Sequence, residues 1–205
     1  MTEPDKPDIG SYTHERETVI SSDRVYAGRI FTVDVDHVRL GNGRESMRDV
    51  VRHCGASLIV PVLEDNRLIM VRQFRYAIGE ILVELPAGKL DVAGEAPLEC
   101  AQRELAEETG YAAQSWHRLG FIYTSPGFCD ERIHCFLALG LQRCSVKTSD
   151  SEENIEIVHV TYKEAMDFIA SGAICDAKTI AGLSMAHVFY PALDPATVSK
   201  VSDPT

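Results

Sequence analysis

Residues 103–112 read RELAEETGYA, and residues 88–102 just before them read GKLDVAGEAPLECAQ. Pro97 suits the first turn of a helix and Gly110 its stop, so the spacing predicts a helix over about 96–109. Leu98, Ala101 and Leu105 would form its apolar stripe. On such a helix Glu104, Glu107 and Glu108 fall on one side, at i, i+3 and i+4. Like charges four apart oppose the helix. Its C-terminal end, where they sit, is also the negative end of the macrodipole. Arg103 is the one cation in these ten residues, and no lysine stands four places after any of the three glutamates. The arrangement gains stability if a positive ion joins it. Clustered carboxylate oxygens suit a hard divalent cation, which takes oxygen ligands and keeps waters or phosphate oxygens among them.

Working outward, Gly88 follows a strand-like run, ILVELPAGKL (81–90), and lets the backbone approach closely. The carbonyl of Ala87 is then a further oxygen donor. Glu95 lies about two helical turns before Arg103, and a Glu95–Arg103 salt bridge would tie the loop to the helix.

The pattern Gly88, Glu95, then Arg103-Glu104-Leu105-Ala106-Glu107-Glu108-Thr109-Gly110-Tyr111 resembles the box of the Nudix hydrolases. The seven residues between Glu95 and Arg103 match that box. The first spacer is one residue longer than the family's five, an addition expected to be absorbed in the DVAG segment before the helix starts. The resemblance implies an α/β/α sandwich with a mixed β-sheet. It implies hydrolysis of a nucleoside diphosphate linked to another group. It also implies Mg²⁺, or Mn²⁺ in its place, held by Glu104 and Glu108 with Glu107 assisting and Ala87 lending its carbonyl. Arg103 and Glu107 join the catalytic set.

The segment YTSPGFCDE (123–131) puts Pro126 and Gly127 fifteen or so residues past the box. Together with VRQFRYAIGEILVELPAGKLD (71–91), it resembles the ADP-ribose pyrophosphatases of that family. Pro126 and Gly127 are therefore expected at the substrate, as are Arg75 for the phosphates and Glu84 for a ribose hydroxyl or a water. Arg48 and Phe31 are expected at the adenine and ribose pocket. The resemblance also implies a general base from the acidic loop at 151–154: Glu153, then Glu152, with Glu107 as the rival. The products would be AMP and ribose 5-phosphate. Two other readings stand beside this one: a pyrophosphatase for another sugar nucleotide such as GDP-mannose, and a catalytically weak Nudix-like domain that senses nucleotides.

The rest of the chain fits an α/β (α+β) class. RVYAGRIFTVDVDHVRL (24–40), the GNG turn at 41–43 and RESMRDVVRHC (44–54) read as an N-terminal β-hairpin or small sheet. Strand-like runs recur at 57–65, 67–75, 81–90, 132–141 and 155–162, and 117–128 reads as strand then loop. Helical stretches follow at 163–172 and 177–190, the second with Asp176 as N-cap. Alternation of this kind indicates a mixed sheet with helices on its faces. The organisation expected is a flexible arm over 1–20, a β extension over 21–54, which by family resemblance joins two copies into a homodimer, a domain over 55–191 that resembles the Nudix fold and a flexible tail over 192–205.

Composition narrows the partners. The 205 residues carry a formal net charge of −11. That balance opposes a nucleic-acid or anionic-membrane surface, since both call for basic patches. No apolar run reaches the roughly 18 residues of a membrane helix, and the N-terminus lacks the apolar core of a signal peptide. The six cysteines form no CxxC pair, so reduced thiols and a cytoplasmic setting are expected.

Overall fold

The computed structural model describes residues 16–145 and 154–193. The chain divides into two units, residues 1–52 and 53–205.

The first unit is a three-stranded sheet, β1 (Thr18–Ala27), β2 (Phe31–Arg39) and β3 (Glu45–His53), in the order β1-β2-β3. β1 opens at Thr18, inside the stretch expected from sequence to be an arm. The GNG segment closes the second hairpin. Leu40 N–H donates to the Arg44 carbonyl at 2.8 Å, and Gly43 takes φ of 82°, a backbone region that glycine enters without steric cost. Alternate residues of β2 point inward, so Asp34, Asp36 and Val38 are buried. Two of those three are carboxylates, and each is matched by cations. Arg24 donates to Asp34 at 2.8 and 3.2 Å, and Arg52 donates to Asp34 at 3.2 Å and to Asp36 at 2.7 Å. Arg24, then Arg52, hold the Asp34 carboxyl below the usual carboxylate range against the opposing effect of desolvation.

The second unit contains two sheets. One has the order β7-β4-β9-β8 and the other β10-β5-β6. Their strands are β4 (Ala56–Pro61), β5 (Arg67–Arg75), β6 (Glu80–Glu84), β7 (Ala87–Lys89), β8 (Tyr111–Tyr123), β9 (Arg132–Arg143) and β10 (Glu156–Thr161). β4 runs parallel to β9, whereas β10–β5, β4–β7, β5–β6 and β8–β9 pair antiparallel, so the architecture is mixed. Helices α1 (Pro97–Thr109), α2 (Tyr162–Ser171) and α3 (Ala177–Phe189) complete it.

The period-2 geometry of strands explains the layering. Leu58 and Val60 of β4, with Leu68 and Met70 of β5, face a core that includes Ala165 of α2 and Leu183 and Ala186 of α3. Ile59 and Ile69, one residue out of phase, face a second core that includes Ala101 and Leu105 of α1. Helices thus cover both faces, which is the α/β/α sandwich expected.

Two elements differ from expectation. The strand after α1 starts at Tyr111 rather than 117. Gly110 turns the chain with φ of 68°, and YAAQSW enters the sheet at once. The run 81–90 is two strands, broken at Leu85-Pro86, because proline has no N–H to donate to a ladder.

Candidate active site

α1 supplies the acidic face. Pro97 takes its first position, where a missing N–H costs nothing, and the Glu99 carboxylate accepts from the Ala96 N–H at 2.8 Å. The buried face is Cys100, Ala101, Leu105 and Thr109. Leu98 is 38% exposed, so it lies outside the stripe expected for it. Cys100, fully buried, takes the inner place.

Arg103 sits among three carboxylates. Its Nε and Nη2 donate to the two oxygens of Glu95 at 2.8 and 3.0 Å. Nη1 donates to Glu104 at 2.6 Å and to Glu107 at 3.1 Å. This planar fork explains why a lysine would not serve in its place. The pair holds the Glu95 carboxyl below its ordinary value and raises the Arg103 guanidinium above its own. Burial pushes the Glu104 carboxyl up, against the opposing pull of Arg103. The extra loop residue is taken up in a turn before the helix. Glu95 N–H donates to the Val92 carbonyl at 3.1 Å, and Gly94 has φ of 81°. Glu95 therefore reaches Arg103 in spite of the longer spacer.

β7 lies against these glutamates. A Cβ placed on Gly88 would come within 1.8 Å of the Glu104 carboxyl carbon, so a larger residue there would push that carboxylate aside. Ala87 N–H donates to Glu108 at 3.2 Å. Beneath, the Cys100 thiol lies 3.4 Å from the Lys89 carbonyl and 3.6 Å from that of Gly88. Burial pushes this thiol up to about 11, so it stays protonated and donates.

The donor set suits a hard divalent ion: three carboxylates on one helix face, a carbonyl on the strand beside them and no imidazole or thiolate. Among the described residues no three acidic, histidine or cysteine side chains already converge as a metal cage. Arg103 engages Glu104 and Glu107 while Glu108 turns to Ala87. The residues fit the ion in chemistry, all three carboxylates lying on the helix face beside β7.

A cavity of about 420 Å³ opens on the same strand. Its wall includes Ala87, Gly88, Lys89, Arg75, Lys178 and Glu131. Arg75 donates through Nε to Glu84 at 3.0 Å and makes a second, shorter bond through Nη2. Glu84 is 1% exposed. Its other oxygen meets Lys178 Nζ at 3.1 Å. The structure therefore buries Glu84 behind Arg75 and Lys178 instead of in the wall.

Thr124 and Ser125 line the cavity, and Pro126 and Gly127 follow them in the turn. Thr124 donates to Glu131 at 2.7 Å. His53 Nδ1 accepts from the Gly55 N–H at 3.0 Å. The same nitrogen lies 3.4 Å from Glu131 Oε1.

In the first unit, Arg48 donates to both oxygens of Glu17 at 3.0 and 2.7 Å. Phe31 lies beside Tyr26, ring centres 5.7 Å apart. Glu152 and Glu153 fall outside the described residues. Sequence reasoning passes over Lys178, Lys89 and Glu131. DAKT (176–179) reads as a helix start, and nothing in its spacing announces that the lysine turns toward a strand end.

Comparison with known proteins falls on the same residues. A family model described as NUDIX domain matches residues 52–182. A second, described as Nucleoside diphosphate sugar hydrolase N-terminal domain, matches residues 17–51. The chain is 40% identical over 164 residues to an ADP-ribose pyrophosphatase of Bacillus subtilis (strain 168), covering 80% of this chain and 88% of that one. It is 39% identical over 175 residues to an ADP-ribose pyrophosphatase of Mycobacterium tuberculosis, covering 85% and 84%. A crystal structure of an ADP compounds hydrolase superposes with a TM-score of 0.77 at 22% identity, over 89% of this chain and 98% of that one. That superposition speaks for the fold. The glutamate helix, the close-packed glycine strand and the family match share one stretch of chain, and the protein belongs to the Nudix hydrolases.

Proposed function

We propose that the protein hydrolyses the pyrophosphate bond of ADP-ribose, or of a related nucleoside diphosphate sugar, to AMP and ribose 5-phosphate with Mg²⁺, Mn²⁺ substituting. The observation behind this reading is that β7 serves two surfaces. One side rests on Glu104 and Glu108, and the strand's three residues line a cavity holding Arg75, Lys89 and Lys178. Names borne by the relatives support the substrate class.

The chain's charge of −11 disfavours a diphosphate, so the metal must reverse the local field. Glu104 and Glu108, with Glu107 and the Ala87 carbonyl, would hold the ion. When bound, it supplies electrophilic stabilisation of the charge that develops on the phosphates. Arg103 keeps Glu104 and Glu107 aligned. Arg75 and Lys178 orient the diphosphate. Glu153 or Glu152, or else Glu107, accepts the proton of a water that attacks one phosphorus in line. The anhydride P–O bond breaks and two phosphate monoesters leave. Pro126 and Gly127 shape the loop beside the sugar. Arg48 and Phe31 would serve the adenosine end, in a homodimer joined through the β extension over 21–54. The working compartment in this reading is the cytoplasm, and no described helix is long and apolar enough to cross a membrane.

The test is AMP release from ADP-ribose with and without Mg²⁺, beside Glu108→Gln. The expected result is metal-dependent turnover that the variant loses by at least about 100-fold. Equal rates with EDTA and with Mg²⁺ would end the proposal. A panel including GDP-mannose decides between sugar nucleotides, and preference for a guanine substrate would move the assignment there.

A further inference from the structure

We propose that Glu84 is a positioning residue: it sets Arg75 and Lys178, one on each carboxylate oxygen, as an oriented pair of cations on the cavity wall. The inference rests on the hydrolase reading above and adds a residue that acts without touching substrate.

Glu84 is 1% exposed, whereas both of its partners line the cavity. A buried carboxylate is a poor way to gain stability, because an apolar side chain of similar volume usually does as well. Its place is informative. Glu84 ends β6 and precedes Leu85-Pro86, which lead into the Ala87-Gly88-Lys89 strand. Arg75 ends β5 and reaches back along the hairpin, four residue pairs from its register partner Glu80 to the Val71–Glu84 pair. Lys178 comes from the other side, in the first turn of α3.

That turn is fixed independently. Asp176 accepts from the Thr179 N–H at 3.0 Å and from its hydroxyl at 2.6 Å. The Thr179 oxygen accepts from Leu85 N–H at 2.9 Å. Asp176 also meets Lys178 Nζ at 2.9 Å. Lys178 Nζ is thus paired with two carboxylates while its side chain lines the cavity.

The four groups sum to zero charge. The wall therefore offers aimed donors rather than net positive potential. Aimed donors act where charge develops and need no reorganisation at that moment. Neutralising Glu84 adds one net positive charge beside the cavity while loosening both cations. Attraction for an anionic ligand is kept and orientation is lost, so the effect falls on kcat and not on KM.

The experiment is a cycle of four proteins: wild type, Glu84→Gln, Arg75→Ala/Lys178→Met, and the triple variant, with rates expressed per folded molecule from circular dichroism. The expected result is that Glu84→Gln lowers kcat about tenfold with KM for ADP-ribose within threefold, yet less than twofold in the background lacking both cations. An equal loss in both backgrounds would overturn the proposal, as would a rise in KM at unchanged kcat. Calorimetric binding of inorganic pyrophosphate with Mg²⁺ to the same proteins separates the two questions. A wild type that leaves ADP-ribose uncleaved refutes the hydrolase reading. The binding enthalpy then reports on Glu84 by itself: loss of the Glu84→Gln effect in the double background supports its role, and an undiminished effect there rejects it.

Discussion

Glu104 lies directly over Gly88: a Cβ on that glycine would approach the Glu104 carboxyl carbon to 1.8 Å and its Oε1 to 2.0 Å. Gly88 lies outside the left-handed region, so Ala costs nothing through backbone strain and acts only through this clash. Gly88→Ala should push the carboxylate off the strand. Displacement of about 1 Å at a catalytic group can lower turnover roughly 100-fold, and a fall of that order in kcat is expected with the melting temperature within a few degrees of wild type. Mn²⁺ affinity measured by electron paramagnetic resonance should fall in parallel. An active, tightly metal-binding alanine variant would show that Glu104 is not held where the ion needs it.

Arg103 satisfies Glu95, Glu104 and Glu107 together. Arg103→Met keeps the length of the stem and removes the donors, leaving half-buried acceptors without a partner at about 1–3 kcal/mol. Thermal melts in EDTA should drop accordingly. Mg²⁺ should raise the melting temperature of this variant more than that of wild type, since the ion then relieves repulsion that the guanidinium otherwise screens. Equal increments in both proteins would disprove that account.

Asp34 gives a pH dependence whose sign is determinate. Its carboxyl is held below the ordinary value, chiefly by Arg24 and then by Arg52. The folded sheet therefore binds fewer protons than the unfolded chain as the solution is acidified. This contribution is complete above the ordinary carboxylate range and is lost as pH falls through the lowered value of the folded state. Amide exchange in β1 and β2 should accelerate on acidification through that window, and Asp34→Asn should flatten this part of the profile. Unchanged acid sensitivity in the variant would assign the effect elsewhere.

Most of the second unit is legible in the amino-acid sequence. The largely apolar run of β4 and the alternation in β10 announce strands, and Pro97 and Gly110 bracket α1 to within a residue. The candidate metal donors are legible because helical periodicity alone puts Glu104, Glu107 and Glu108 together. Residues whose roles depend on tertiary approach are not. Glu84 is expected from the resemblance at a ribose hydroxyl or a water, and nothing local shows that β5 and α3 each bring a cation to it. Leu98 misleads for the opposite reason: periodicity says which residues share a face, while the packing of the first turn decides where that face ends. Lys178 is hidden by its own N-cap signal, which accounts for Asp176 and leaves the lysine looking like a solvated neighbour.

The parallel pairing of β4 with β9 has a consequence for biosynthesis. β4 is six consecutive buried residues, ASLIVP, and one of its neighbours in the sheet is the last part of the second unit but for β10 and two helices to be made. While the ribosome supplies the intervening β5–β6 hairpin, β7, α1 and β8, that buried ribbon has no parallel mate. Non-local closure of this kind is slow, and an uncovered central strand is prone to misassociation. The nascent enzyme should therefore lean on chaperones during that interval, and its catalytic face should be among the last surfaces to mature.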